Sequence, residues 1–130
     1  MLKQHQQRND DCVRACVATI LELPIESVPN FVAERGCVWL DRLREWLLPR
    51  GLTAINVSFS DSDEPGLGIL CGAGGAGPRG CDHEVVWRDG EVVWDPYPGG
   101  GGLVGKPKDF LIFIPLDPAH VQLGFLGCDE

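Results

Sequence analysis

Basic residues are scarce in this chain, and no cluster of lysine and arginine occurs anywhere along it. It carries 11 Lys and Arg residues against 19 Asp and Glu, which gives a formal net charge of −8 at pH 7. Because contacts to phosphate groups need positive charge, this balance argues against a nucleic-acid-binding protein. It equally disfavours a polybasic membrane anchor. The negative charge itself is typical of a soluble surface.

Long hydrophobic runs are also missing. No apolar stretch approaches the ~20 residues that a membrane-spanning helix needs. The first residues, MLKQHQQRNDD, are polar and contain none of the apolar core of a secretory signal. These absences predict a cytoplasmic protein without a membrane partner.

Six cysteines would suggest disulfide bonds in a small secreted protein. With no secretory signal, free thiols, metal ligands or a nucleophile are the better interpretations. The six are Cys12, Cys16, Cys37, Cys71, Cys81 and Cys128.

Length and apolar content predict one domain over residues 1–130, since 130 residues with 44% apolar composition can bury a substantial core. Helical periodicity follows Asp10 and Asp11, either of which can N-cap a helix. The predicted helical segments are CVRACVATILEL from Cys12, a short turn after Pro24, and CVWLDRLREWLL over residues 37–48.

Strand patterns dominate the second half of the chain. The clearest is HEVVWRDGEVVWDPYP, in which Asp89-Gly90 is a strong two-residue hairpin signal. Helices followed by antiparallel strands predict an α+β fold. The predicted strands are 52–59, 67–71, 83–88, 91–95 and DFLIFIPL from residue 109, with loops at 61–66 and 99–102. The glycine-rich segment 72–80 is predicted to be a flexible loop, either a plain linker or, as we favour, a mobile wall of the active site.

Cys12 is the candidate nucleophile, because a thiol at a helix N-terminus meets the positive end of the helix dipole and nearby N–H groups. Both lower the pKa of the thiol, while Asp10 and Asp11 act in the opposite direction, so an imidazolium partner would matter. The alternative is that Cys12 is a small core residue. Cys16, one turn later, is expected in the core.

Gln6 precedes the cysteine at a spacing from which its amide can turn back towards the sulfur. Acyl transfer needs hydrogen-bond donors for an oxyanion beside the nucleophile. The backbone N–H of Cys12 and the Gln6 amide are the candidate donors, although Gln4 and Gln7 lie close by in the sequence.

His83 begins one strand of the predicted hairpin, and Asp95 ends the other. Across a turn at Asp89-Gly90, position 83 pairs near position 95 or 96, so the carboxylate lies within reach of the imidazole. There it would fix the histidine tautomer and stabilise its charge. The other histidines, His5 and His120, are expected to be structural or on the surface.

These residues together resemble the papain-like cysteine peptidase superfamily. The resemblance rests on Gln6, Asp11-Cys12 with Cys16, His83-x-Val-Val, Asp89-Gly90 and Asp95-Pro96, and it spans roughly residues 4–116. The chain is most similar to peptidases that cleave double-glycine leaders from bacteriocin precursors, and to short papain-like proteins of bacteria and phages.

The resemblance implies a papain-like fold, with N-terminal helices packed on an antiparallel sheet. It also implies Cys12 as nucleophile, His83 as base, Asp95 as orienter and Gln6 as oxyanion donor. It implies a peptide or protein substrate and no cofactor. Val13 stands where the leader peptidases usually carry glycine, so double-glycine specificity is not carried over.

Three functions remain open from the sequence. The first is a cysteine hydrolase that acts on a peptide or isopeptide bond, or a related amidase, deamidase or acyltransferase. The second is a catalytically inactive binding protein of the same fold, such as a phage-encoded inhibitor of a host complex. The third is a zinc site, although its ligand spacing is not a standard structural one. The zinc ligands would be Cys12, Cys16, Cys81 and His83.

Overall fold

The computed structural model describes residues 2–8, 10–58 and 68–116. Three α-helices come first, and short 3₁₀ turns at Ile25–Ser27, Gly36–Val38 and Leu48–Arg50 flank or join them. Five strands follow. The helices are α1 (Cys12–Leu21), α2 (Phe31–Arg35) and α3 (Trp39–Leu47); the strands are β1 (Leu52–Ser58), β2 (Cys71–Ala76), β3 (Asp82–Arg88), β4 (Glu91–Trp94) and β5 (Asp109–Pro115).

The five strands form one antiparallel sheet in the order β1-β5-β2-β3-β4. The last strand, β5, therefore lies between β1 and β2 and joins the two parts of the sheet. Helices that precede an antiparallel sheet confirm the predicted α+β class.

The helices pack on one face of the sheet around a shared apolar core. α1 contacts β3 and β2, while α3 contacts β1. All residues of α1 except Cys12 and Arg14 are buried, so the core surrounds most of the helix. The largest buried side chains of this core include Val17, Ile20, Phe31, Leu43, Leu47, Val86, Leu111 and Phe113.

A smaller apolar cluster covers the opposite face of the sheet. Its buried members are Cys71, Ala73, Val85, Trp87 and Phe110. Alternate residues of β3 thus face opposite cores, which places Glu84 on the same side as Val86, towards the helices.

Strand β2 corrects two predictions. The predicted strand at 67–71 lies almost entirely before β2, and its first residue falls outside the described residues. The predicted flexible loop at 72–80 is instead a buried central strand as far as Ala76. Glycine is poor in strands on average, which is why the pattern indicated a loop. Here the small residues leave room for side chains from the two neighbouring strands.

The remaining helix and strand predictions differ from the structure mainly at their ends. The predicted helix at 37–48 is α3 with a 3₁₀ turn at each end, and α2 was not predicted. Asp89 and Gly90 form the β3–β4 turn with φ values of 53° and 86°. The predicted loop at 61–66 and the end of the first predicted strand, Phe59, lie outside the described residues.

Among the described residues, no single helix is long and apolar enough to cross a bilayer. One helix pair, Cys12–Leu21 with Ile25–Arg50, passes by length and composition but is bent by 106°. The cytoplasmic location and the single domain over residues 1–130 stay predictions.

Candidate active site

A cleft of about 370 Å³ lies at the start of α1, and residues of β1, β2, β3 and β5 line its other walls. It contains both the candidate nucleophile, Cys12, and the candidate base, His83. The other lining residues are Asp10, Val13, Val32, Trp39, Asn56, Gly74, Gly75, Asp82, Glu84, Lys108 and Asp109. We call this space the Cys12 cleft. Gly74 and Gly75 belong to its wall, but as part of a strand and not of a flexible loop.

Cys12 occupies the first position of α1, where a buried aspartate fixes the approaching chain. Asp11 is the N-cap residue but makes no capping hydrogen bond within the helix. Its carboxylate instead accepts hydrogen bonds from the backbone N–H groups of Gln7, at 3.0 Å, and Arg8, at 2.9 Å. Arg14 lies 3.6 Å from the same carboxylate. The segment that carries Gln6 is thereby tied to the helix that carries Cys12.

The pKa of the Cys12 thiol is raised to about 11, in contrast to the lowered value expected from the helix dipole. Burial is the main cause, and the nearby Glu84 carboxylate adds to it. Hydrogen bonds from the backbone N–H groups of Glu84, Val13 and Cys12 favour the thiolate but do not outweigh these effects. Cys12 is therefore a neutral thiol at pH 7.

His83 and Asp95 form a direct hydrogen bond. The His83 Nε2 atom lies 2.8 Å from Asp95 Oδ1, and both side chains are at most 10% exposed. The same carboxylate accepts the backbone N–H groups of Tyr97, at 2.9 Å, and Gly102, at 2.7 Å. Backbone N–H groups of the loop after β4 thus fix the position of Asp95, and Asp95 in turn fixes the position of His83.

Hydrogen bonds determine the charge of the Asp95 carboxyl group and, with it, the donor nitrogen of His83. Burial would raise the pKa of Asp95, but the hydrogen bonds from His83, Tyr97 and Gly102 together lower it. An ionised carboxylate can only accept a hydrogen bond, so Nε2 of His83 is the donor in this pair. Nδ1 is then the basic nitrogen of the ring.

Gln6 is buried, but it does not line the Cys12 cleft. Its backbone N–H donates to Pro96 O at 2.9 Å, and its side-chain Nε2 donates to Arg8 O at 2.7 Å. Its Oε1 atom is buried and finds no hydrogen-bond partner among the described residues. Gln6 lines an adjoining cavity of about 240 Å³ on which His83 and Tyr97 also lie. Its role as oxyanion donor stays a prediction.

The sequence analysis missed two carboxyl groups of the cleft, Glu84 and Asp109. Burial, and then the charge of Asp109, raises the pKa of Glu84 to about 8. Burial, and then Asp82, raises the pKa of Asp109, while Asn56 and Lys108 act in the opposite direction. The position of Glu84 could have been predicted from the sequence, because strand alternation puts its side chain on the same face as that of Val86.

The remaining cysteines and histidines lie apart from this arrangement. Cys16 is fully buried beneath Cys12, and Cys81 is exposed before β3. Within the described ranges, no group of three or more His, Cys, Asp or Glu side chains is placed to hold a metal ion, so geometry does not support the zinc alternative. His5 packs against Trp94 with ring centroids 4.9 Å apart. His120 and Cys128 lie outside the described residues.

Comparisons with other proteins found no relative of the chain. No protein-family model matches it. No curated protein and no solved structure matches it either. Functional conclusions therefore rest on the residues of the cleft and on their chemistry.

Proposed function

We propose that this chain is a papain-like cysteine hydrolase that cleaves a peptide or isopeptide bond, or a related amide. One observation carries the proposal: a buried histidine–aspartate pair stands beside a cleft that also contains a cysteine at a helix N-terminus. Nucleophile, base and orienting group are the parts that covalent acyl transfer requires. The sequence resemblance over residues 4–116 supports the same roles.

The proposed reaction begins with a protonated Cys12 thiol and with His83 Nε2 hydrogen-bonded to Asp95. His83 Nδ1 takes the proton of the Cys12 thiol as the sulfur attacks the carbonyl carbon, and the carbonyl oxygen becomes an oxyanion. The backbone N–H of Cys12 and the Gln6 amide are the proposed oxyanion donors. The imidazolium then protonates the leaving amine, which leaves an acyl-enzyme. Water attacks this thioester while His83 takes its proton, and the thiol is restored.

The raised pKa of Cys12 bears on the timing of proton transfer. A thiol with a pKa of about 11 gives very little thiolate at pH 7, so His83 acts during the attack and not before it. Glu84, with its pKa of about 8, is mostly protonated at pH 7. Its carboxyl group therefore does not repel the negative charge that forms on sulfur at neutral pH.

The α+β arrangement also supports the papain-like assignment. The helix that carries Cys12 packs on the antiparallel sheet and contacts β3, the strand that carries His83. Asp95 directly follows β4, so one hairpin supplies both the base and its orienting group.

Digestion of a complex peptide library, followed by mass spectrometry of the new termini, tests this proposal. We expect new termini with the wild-type protein and none with Cys12→Ala. Cys37→Ser replaces an exposed cysteine outside the cleft and is the matched control, which should retain cleavage. Cleavage that persists in folded Cys12→Ala would reject the mechanism.

A catalytically inactive binding protein is the second candidate. Two observations favour it: the raised pKa of Cys12, and the engagement of the Gln6 amide by Arg8 O. Alkylation by iodoacetamide at neutral pH separates the two functions. In a hydrolase, His83 would take the thiol proton during the attack and make Cys12 react faster than the exposed Cys37 and Cys81 despite its raised pKa, whereas a binding protein would label these two first.

A further inference from the structure

The polar wall of the Cys12 cleft is formed mainly by acidic residues. Asp10, Asp82, Glu84 and Asp109 line it, and Lys108 is the only lysine or arginine among the lining residues. A cleft of this composition attracts a cation, since walls of low dielectric strengthen the field of carboxylates.

Two of these carboxyl groups converge on one point above strand β2. A Cβ atom on Gly74 would lie 2.6 Å from Asp109 Oδ1 and 2.7 Å from Glu84 Oε1. Glu84 comes from β3 and Asp109 from β5, the two neighbours of β2. The absence of a side chain at Gly74 therefore lets the two groups approach each other.

Glu84 also has an unused hydrogen-bonding atom. The residue is 7% exposed, and its Oε2 atom is buried with no hydrogen-bond partner among the described residues. A buried acceptor without a donor is unfavourable. This atom lies against Gly72, which does not line the cleft, whereas Oε1 is the oxygen that approaches Asp109 above Gly74 and to which a ligand in the cleft would donate.

Three apolar residues also line the cleft: Val13, Val32 and Trp39. An indole ring such as that of Trp39 can contact an aliphatic chain or a cation. A flexible alkyl chain with a compact positive end matches this combination. A planar guanidinium is matched less well, because it prefers a carboxylate that it can bind through two parallel hydrogen bonds.

We propose that the Cys12 cleft binds a primary ammonium group on an alkyl chain, specifically a lysine side chain, with Glu84 and Asp109 as its acceptors. The assignment of that lysine to a substrate peptide rests on the hydrolase function proposed above. The proposed substrates of this cleft are therefore peptides that carry lysine next to the scissile bond.

Ammonium binding also changes the protonation of Glu84. The titratable groups around this carboxyl are Cys12 and Cys16 of α1, Cys71 of β2 and Asp109 of β5, and its neutral form dominates at pH 7. A bound cation favours the ionised form. Binding at pH 7 should therefore release a proton, and binding at pH 9, where Glu84 is already ionised, should not.

Calorimetry on the Cys12→Ala protein tests binding without hydrolysis. The ligands are the capped tripeptide acetyl-Ala-Lys-Ala-amide and its norleucine counterpart, which has the same alkyl chain without the charge. We expect the lysine peptide to bind at least about tenfold more tightly. Titration in two buffers of different ionisation enthalpy should show the proton released at pH 7.

Variants then locate the site. Glu84→Gln and Asp109→Asn, each made in the Cys12→Ala protein, should remove the advantage of lysine over norleucine. Glu26→Gln removes one exposed negative charge outside the cleft and should retain it. Having two cleft variants keeps the test valid if either fails to fold.

Three outcomes would overturn the proposal: equal affinity for the two peptides, no binding of either, or an unchanged lysine preference in both folded cleft variants. Binding of 1,5-diaminopentane without binding of the lysine peptide would overturn the assignment to a peptide side chain. If only the hydrolase function is wrong, the protein will bind the lysine peptide but will cleave no peptide of the library. Library cleavage without any lysine preference would overturn only the present inference.

Discussion

His83 Nε2 lies 2.8 Å from Asp95 Oδ1, although the two residues are not opposite each other in the hairpin ladder. A bulge pairs Val86 with Trp94 and Trp87 with Val92, so β4 contains one extra residue and ends before Asp95. Asp95 reaches the histidine from the loop, where two backbone N–H groups hold it. The pair thus depends on the loop after the hairpin as much as on the hairpin itself.

We expect Asp95→Asn to slow turnover strongly while the protein stays folded. The amide can still accept from the backbone N–H groups, but it lacks the charge that stabilises an imidazolium and fixes the tautomer. By analogy with serine triads the loss in kcat is about 10⁴-fold. Steady-state kinetics together with thermal unfolding measure the two effects. Wild-type kcat in this variant would remove Asp95 from the mechanism.

Glu84→Gln should accelerate alkylation of Cys12 at alkaline pH. Above pH 8 the Glu84 carboxylate is ionised and opposes formation of the Cys12 thiolate, which is the reactive species. Without that charge, the rate of reaction with iodoacetamide at pH 9 should rise severalfold. Peptide mapping after timed labelling measures it, with the exposed Cys37 of the same molecule as internal reference. An identical Cys12 rate would show that Glu84 does not act on the thiol.

The same substitution should flatten the pH dependence of folding stability. The pKa of Glu84 is raised from an ordinary value of 4.5 to about 8, so its contribution to stability is complete below pH 4.5. It is then lost as pH rises towards 8, because the unfolded state ionises first, at a slope of about 1.4 kcal/mol per pH unit. Urea unfolding at pH 5, 7 and 9 measures this loss. Equal slopes in wild type and Glu84→Gln would contradict the buried, neutral carboxyl.

Gly74→Ala should destabilise the fold by about 1–3 kcal/mol, as expected for overpacking of a tight site. The added methyl group would lie 2.6 Å from Asp109 Oδ1 and 2.7 Å from Glu84 Oε1. Gly75→Ala is the matched control, since the nearest atoms to its Cβ are backbone atoms at 3.6 Å, an ordinary contact distance. Denaturant unfolding of both variants should show a clear loss only for Gly74→Ala. Equal stability of the two would argue against carboxyl groups packed above Gly74.

Much of the architecture follows from local signals. The apolar periodicity of α1, the Asp89-Gly90 turn and the alternation in β3 and β4 each express a preference of a few neighbouring residues. Such preferences predicted α1, α3, the hairpin and the α+β class. They failed at β2, because its glycines are accommodated by side chains from β3 and β5 that are distant in the sequence.

The candidate site likewise has features that local sequence predicts and features that only the tertiary structure shows. Sequence order alone put Cys12 at a helix start and His83 and Asp95 at the ends of one hairpin, since each placement depends on the local backbone. Only the tertiary structure decided that Glu84 and Asp109 converge beside Cys12, and that burial there raises the pKa of the thiol. Desolvation and the mutual repulsion of carboxyl groups depend on what surrounds a residue in space, and local sequence does not specify those surroundings.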